Sequence, residues 1–223
     1  MAKNFVSSKD ESARLFKSDF LEMFSHVHFT VPLIVYVPIV SYFLYKAAID
    51  ADLTGVRIVE LFAFGLLTWT LTEYLLHRFV FHYEPKTELG KNLHFLMHGV
   101  HHDYPNDSLR LVMPPVISLP LATIFYVLFL VLLGAAHVPP FFAGFIVGYI
   151  CYDMIHYATH HASMKTTPVG LWLKQHHMRH HYQTDTLYYG VSTPLWDYVF
   201  GTMWSKKQPV ATEDIPDIFR VTP

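Results

Sequence analysis

Histidine is the residue type in this chain that could do chemistry. It occurs 16 times in 223 residues, and ten of these sit in four tight clusters. HRFVFH sets His77 and His82 five residues apart, about 140° round an α-helix. They converge only where that helix bends or ends; otherwise they serve different metals. HGVHH sets His98, His101 and His102 at i, i+3 and i+4, on one helical face. HYATH sets His156 and His160 one turn apart, and HMRHH repeats the three-on-a-face spacing with His177, His180 and His181. Imidazole suits zinc, copper, iron and nickel. A structural zinc takes four ligands, so ten imidazoles exceed one ion or two tetrahedral zincs. They fit two ions with about five ligands each, leaving positions open for oxygen or water. Open positions together with a redox task point to iron. No HExxH is present, so a zinc protease would lack its general base. The single cysteine, Cys151, rules out a cysteine cage and an internal disulfide.

A ligand imidazole usually donates its other nitrogen to an acceptor. Glu73 lies four residues before His77, and Asp153 three before His156. Both are expensive near a membrane unless paired, and both are candidate supporting carboxylates; the alternative is that they reach out to water. His94, His161 and His176 flank the clusters as supporting or structural residues. His26, His28 and His137 stand alone and read as ordinary surface or core histidines.

The elements that must position these clusters are apolar. The chain is 52% hydrophobic and only 15% charged, against about 25% charged for an average soluble domain. Apolar stretches run over 31–49, 56–76, 111–133 and 139–157, each near the roughly 20 residues needed to cross a bilayer. Prolines 32, 38, 114, 115 and 120 lie in or beside them, and spanning helices tolerate such prolines. With a cytoplasmic N-terminus, the connectors at 46–57 and 134–140 face outward and hold only Lys46 and Arg57. All other lysines and arginines then face inward, as the positive-inside bias requires. The same topology puts every histidine cluster on the cytoplasmic side. The polar N-terminus shows no cleavable signal peptide. A net charge of −2 without basic clusters gives no sign of nucleic-acid binding. The expected fold is all-α: an integral membrane protein with about four spans and a cytoplasmic His-rich helical cap around a dimetal site. It reads as one domain over 1–223, with a polar segment 1–30, spans and the intervening His-rich segment over 31–160, and cap and tail over 161–223.

HRFVFH, HGVHHDYPNDSLRLVMPP, YDMIHYATHH, KQHHMRHHY and GVSTPLWDYVFGT together resemble the fatty acid 2-hydroxylases of the fatty acid hydroxylase (sterol desaturase) superfamily. The likeness runs from Trp69 to Thr202. RLVMPP and WDYVFGT are its most branch-specific parts. The resemblance implies a dimetal centre held by His77, His82, His98, His101, His102, His156, His160, His177, His180 and His181. It implies iron as the working metal, with zinc able to occupy the sites in purified protein. It also implies O2 as co-substrate and hydroxylation at C2 of a fatty acid or sphingolipid acyl chain. Family members with a fused cytochrome b5 domain differ from this chain, whose first 30 residues are too few for one. The expected partners are therefore a membrane lipid and a separate electron donor of cytochrome b5 or ferredoxin type. A bacterial inner membrane and the endoplasmic reticulum both suit such a protein.

The active site is expected at the cytoplasmic interface, where C2 reaches the metals while the acyl tail stays in lipid. Tyr74, Tyr152, Tyr157, Trp172 and Trp196 are candidates to line the access path, or to form an interfacial aromatic belt. Three rivals are a sterol- or carotenoid-directed enzyme of the same superfamily, a bis-histidine haem electron carrier, and a metal transporter or sensor. The last would need ligands near the bilayer midplane.

Overall fold

The computed structural model describes residues 5–50 and 52–203. The expected tail beyond 203 and the first four residues of the polar N-terminal segment lie outside the described residues. Among the described residues, all regular structure is helical. In chain order the helices are α1 (Asp19–Met23), α2 (Val31–Ala48), α3 (Gly55–Leu76), α4 (Glu88–His94), α5 (Val100–Asp103), α6 (Pro115–His161), α7 (Pro168–Tyr182) and α8 (Leu195–Phe200). Two π-helical turns, His77–Phe81 and Phe95–Gly99, follow α3 and α4. The described chain divides into two compact units, one of residues 14–72 and 109–154, the other of 5–13, 73–108 and 155–203.

The first unit is apolar. It contains most of Val31–Ala48, Gly55–Phe81 and Pro115–His161, three helical runs long and apolar enough to cross a membrane. The third is a hairpin. Gly134 adopts φ 78°, a left-handed value that glycine takes without a side-chain penalty. Beyond it the chain turns back: Phe125 meets Phe145 at 5.1 Å, Tyr126 meets Phe142 at 5.1 Å, and Phe129 meets Phe141 at 4.8 Å. The connector expected over 134–140 is therefore a one-residue break. Pro139 and Pro140 lie near the start of the second arm and are accommodated in helix.

In lipid, helices gain little from hydrophobic exclusion and rely on close packing. Gly65 and Gly144 provide it. A Cβ on Gly65 would lie 1.9 Å from the Phe141 carbonyl oxygen, and one on Gly144 would lie 2.0 Å from that of Phe62. Trp69 fills the adjoining space edge-on to Phe145 and Tyr149, each at 5.2 Å. The buried Tyr36 hydroxyl donates to Ser118 Oγ at 2.8 Å, which satisfies a polar group inside an apolar bundle.

The second unit carries the histidine clusters. Thr87 and Thr167 cap α4 and α7 by accepting from the amides of Gly90 and Gly170. Pro168 takes the first position of α7, where its missing N–H costs nothing. The N-terminal segment is tied down here. Val6 and Ser7 donate their amides to the Asp103 carbonyl, Ser12 donates its hydroxyl to Asp107, and Phe5 packs edge-on to Tyr182.

Candidate metal centre

The ten clustered histidines come together as two groups of five. His77, His82, His98, His102 and His180 form the first; His101, His156, His160, His177 and His181 form the second. Within each group the facing nitrogens all lie within 4.8 Å of one another.

Local backbone geometry explains the first group. On an α-helix His77 and His82 would diverge. Here the segment between them is a π turn, in which the His82 amide donates to the His77 carbonyl at 3.1 Å. The i→i+5 spacing brings the two imidazoles together, tilted 53° to one another, and their Nε2 atoms lie 3.3 Å apart. The two HxxHH clusters do not act as units. His98 and His102 join the first group while His101 joins the second; His177 and His181 join the second while His180 joins the first.

The nitrogen spacings suit a shared cation. Two imidazole nitrogens about 2.1 Å from one ion, at right angles, lie about 3.0 Å apart. The observed Nε2 pairs are His77–His98 at 3.2 Å, His98–His102 at 3.0 Å and His82–His180 at 2.9 Å in the first group. In the second they are His101–His156 at 2.9 Å, His160–His177 at 3.0 Å and His177–His181 at 3.1 Å.

Hydrogen bonding among the rings cannot account for this arrangement. His77 Nδ1 lies 2.6 Å from the Tyr189 carbonyl oxygen, and His180 Nδ1 lies 2.7 Å from that of Leu187. A carbonyl only accepts, so each Nδ1 carries the proton and each Nε2 presents a lone pair. His82 Nε2 faces both of these and His98 as well, yet a neutral imidazole has one N–H to give. The uncompensated lone pairs fit a bound metal ion.

Electrostatics agree. Burial, reinforced by neighbouring histidines, lowers the pKa of His82 and His102 to about 3. The same causes hold His98, His101, His177, His180 and His181 well below the ordinary histidine value. All seven are neutral at physiological pH, the state in which imidazole binds metal.

The groups differ in access and in support. His82 and His102 are half-exposed, whereas His101, His156, His177 and His181 are buried. The Nδ1 atoms of His160, His177 and His181 have no hydrogen-bond partner among the described residues. Lys174, also buried, donates its ammonium to the carbonyls of Thr159 and Ala162, at 2.7 and 2.8 Å. It thereby fixes the end of α6, which carries His156 and His160, against α7.

Glu73 is buried, but its carboxylate does not meet a histidine. It accepts from the amides of Val191 and Ser192 at 2.7 and 2.8 Å, and from the Ser192 hydroxyl. Asp153 is buried in the other unit. His176 lies outside both groups, with Nε2 3.1 Å from Asp197 Oδ2 and its ring stacked on Trp172. His161 stacks on Tyr157, and His94 is half-buried outside both groups. Tyr74 is fully buried against the Thr202 hydroxyl at 2.9 Å, so it supports the site from behind and does not line a path. The residues that sequence reasoning missed are Asp197, Lys174 and the carbonyls of Leu187 and Tyr189. WDYVFGT was the only signal for Asp197; backbone carbonyls leave none.

The family model for fatty acid hydroxylase matches residues 62–202. A dihydroceramide fatty acyl 2-hydroxylase of Arabidopsis thaliana is 41% identical over 194 residues, covering 86% of this chain and 81% of that protein. A fatty acid 2-hydroxylase of Rattus norvegicus is 38% identical over 210 residues, covering 85% of this chain and 56% of that protein. A solved structure of full-length scs7p, with only its hydroxylase domain visible, superposes with TM-score 0.80 at 37% identity. It covers 86% of this chain and 73% of that one.

Proposed function

The chain belongs to the fatty acid hydroxylase family, and we propose that it is a membrane-embedded fatty acid 2-hydroxylase. Its substrate is the acyl chain of a fatty acid or a ceramide-type lipid, hydroxylated at C2. The observation that carries this reading is the pair of five-imidazole groups, in a chain that spans most of a plant relative named for acyl 2-hydroxylation. The whole chain acts as one hydroxylase domain. α2, α3 and the two arms of α6 supply four spans, and the distribution of lysine and arginine puts the histidines on the cytoplasmic side.

The ten histidines His77 to His181 named above would hold two iron ions. Bound there, the ions would supply O2 activation for a hydroxylation that consumes two electrons and two protons and releases one oxygen as water. The protein's own residues do the rest. The Leu187 and Tyr189 carbonyls fix the tautomers of His180 and His77, so that lone pairs face inward. The half-exposed His82 and His102 mark the side open to substrate. The segments that carry these clusters also expose apolar residues: Phe79 and Val80 after α3, and Leu89, Leu93 and Met97 at four-residue spacing. Such exposed apolar side chains suit lipid, so the acyl tail stays in apolar surroundings while C2 approaches the first group. Glu73 and Asp153 are the carboxylates that support the ligand-bearing helix ends. Electrons come from a separate cytochrome b5 or ferredoxin-type protein.

The test is a fatty-acid profile by mass spectrometry, on hydrolysed total lipids from cells expressing the wild type or His180→Ala. A 2-hydroxy acid present only with the wild type is expected. Its absence from membrane-inserted, metal-loaded wild type supplied with ceramide and an electron-donor system would sink the reading.

A further inference from the structure

We infer that Asp197 is a positioning residue for the first metal site alone: it shapes the loop whose two carbonyls orient His77 and His180. The inference rests on the metal reading of the two histidine groups.

Asp197 is fully buried, and both of its oxygens are occupied. Oδ1 accepts from the Tyr189 amide at 2.9 Å and the Thr202 hydroxyl at 2.7 Å. Oδ2 accepts from the Gly190 amide at 2.8 Å and from His176 Nε2 at 3.1 Å. One carboxylate thus joins α8, the residue that follows its C-cap, the loop and the helix carrying His177, His180 and His181. The loop needs this hold. Tyr188 is a buried non-glycine residue at φ 63°, a conformation that persists only when its surroundings enforce it. On either side of that turn, the Leu187 and Tyr189 carbonyls face His180 and His77. Gly190 leaves no room for substitution: a Cβ there would lie 2.1 Å from the Thr193 carbonyl oxygen and 2.8 Å from Asp197 Oδ2. Both oriented histidines belong to the first group. In the second group the Nδ1 atoms of His160, His177 and His181 have no hydrogen-bond partner among the described residues, and its end of α6 is held by Lys174 instead.

Asp197→Asn preserves shape but turns an NH2 toward amide donors, so the loop must shift. Changes to groups behind a metal ligand typically weaken metal binding by about 10–100-fold. The experiment uses purified full-length protein in detergent, stripped of metal and titrated with Co(II). Visible absorption follows ligand geometry, and a competing chelator gives the affinity of each site. In Asp197→Asn, one of the two cobalt-binding phases should weaken by about that factor while the other holds. The spectrum that remains should match that of His82→Ala and not that of His160→Ala. Thr202→Val, which removes the hydroxyl's bonds to Asp197 and Tyr74 and leaves the carboxylate, should shift the same phase less; it carries the test if Asp197→Asn does not fold. Equal weakening of both phases, or of neither, overturns the inference. A wild type that takes up no cobalt overturns the metal reading itself.

Discussion

The two histidine groups are built from the same parts and held in different ways. Each takes both members of an adjacent pair, the i and i+4 members of one HxxHH cluster, and the central histidine of the other. Yet the first includes two half-exposed rings and leans on loop carbonyls, through Tyr189 and Leu187. The second sits on helices, with three far nitrogens unpartnered among the described residues and a buried lysine pinning the end of α6. Equal ligand number therefore does not mean equal metal sites. A ligand whose far nitrogen donates to a fixed carbonyl is locked in tautomer and direction and is a stronger base. A ligand without that bond is directed by packing alone. The first group is the more exposed and is oriented by loop carbonyls; the second is the more enclosed.

Removing a ligand from either group should have the largest effect. His180→Ala and His177→Ala should each reduce 2-hydroxy acid formation to the level of cells lacking the protein, read by mass spectrometry. Metal analysis of the purified variants should show loss of one ion in each case, and the two cobalt spectra should differ. Identical residual spectra would mean that the division into two fives is wrong.

Lys174→Met should come next, and it should strike the opposite site from Asp197→Asn. Two carbonyls lose a charged donor, and leaving a buried acceptor unpaired costs about 1–3 kcal/mol. The thermal midpoint should fall, and cobalt should be lost from the second site first. Loss from the first site would break the comparison.

Acid gives a smaller and graded effect. His82 and His102 stay unprotonated in the folded protein until pH falls to about 3, whereas in the unfolded chain they take up protons near 6.5. The unfolded state thus binds more protons between those values, so stability falls as pH drops through that window. Above about 6.5 these two contribute no slope. Thermal midpoints of metal-free protein should be flat at and above neutral pH and should decline below about 6.5. A decline beginning above pH 7 would assign the titration to other groups.

The smallest effects belong to the histidines outside both groups. His94→Ala and His161→Ala should leave metal content and both cobalt phases unchanged. A loss in either variant would enlarge one of the groups.

Much of this was legible in the sequence, because it rests on composition and short-range periodicity. The apolar stretches follow from side-chain type, and helix is the only open-ended way to satisfy a backbone in lipid. The ten histidines stood out because clustered imidazoles near a membrane are costly without a task. Element ends were less legible. The expected connector at 134–140 shrank to Gly134, since one glycine in a left-handed conformation reverses the chain without a loop.

Residue types, their number and their spacing by themselves determined an all-helical, apolar, histidine-rich chain with ligands enough for two ions. Only the tertiary structure decided which histidine serves which group, because HxxHH places three rings on one face and says nothing of what lies opposite. It also decided that His77 and His82 converge, since a π turn is a choice between hydrogen bonds that α-helical spacing cannot anticipate. And it paired Glu73 and Asp197 with amides of the loop whose carbonyls face His77 and His180: Glu73 accepts from Val191 and Ser192, Asp197 from Tyr189 and Gly190. That partnership spans more than a hundred residues for Glu73, and contacts at such separation arise from folding and not from local pattern.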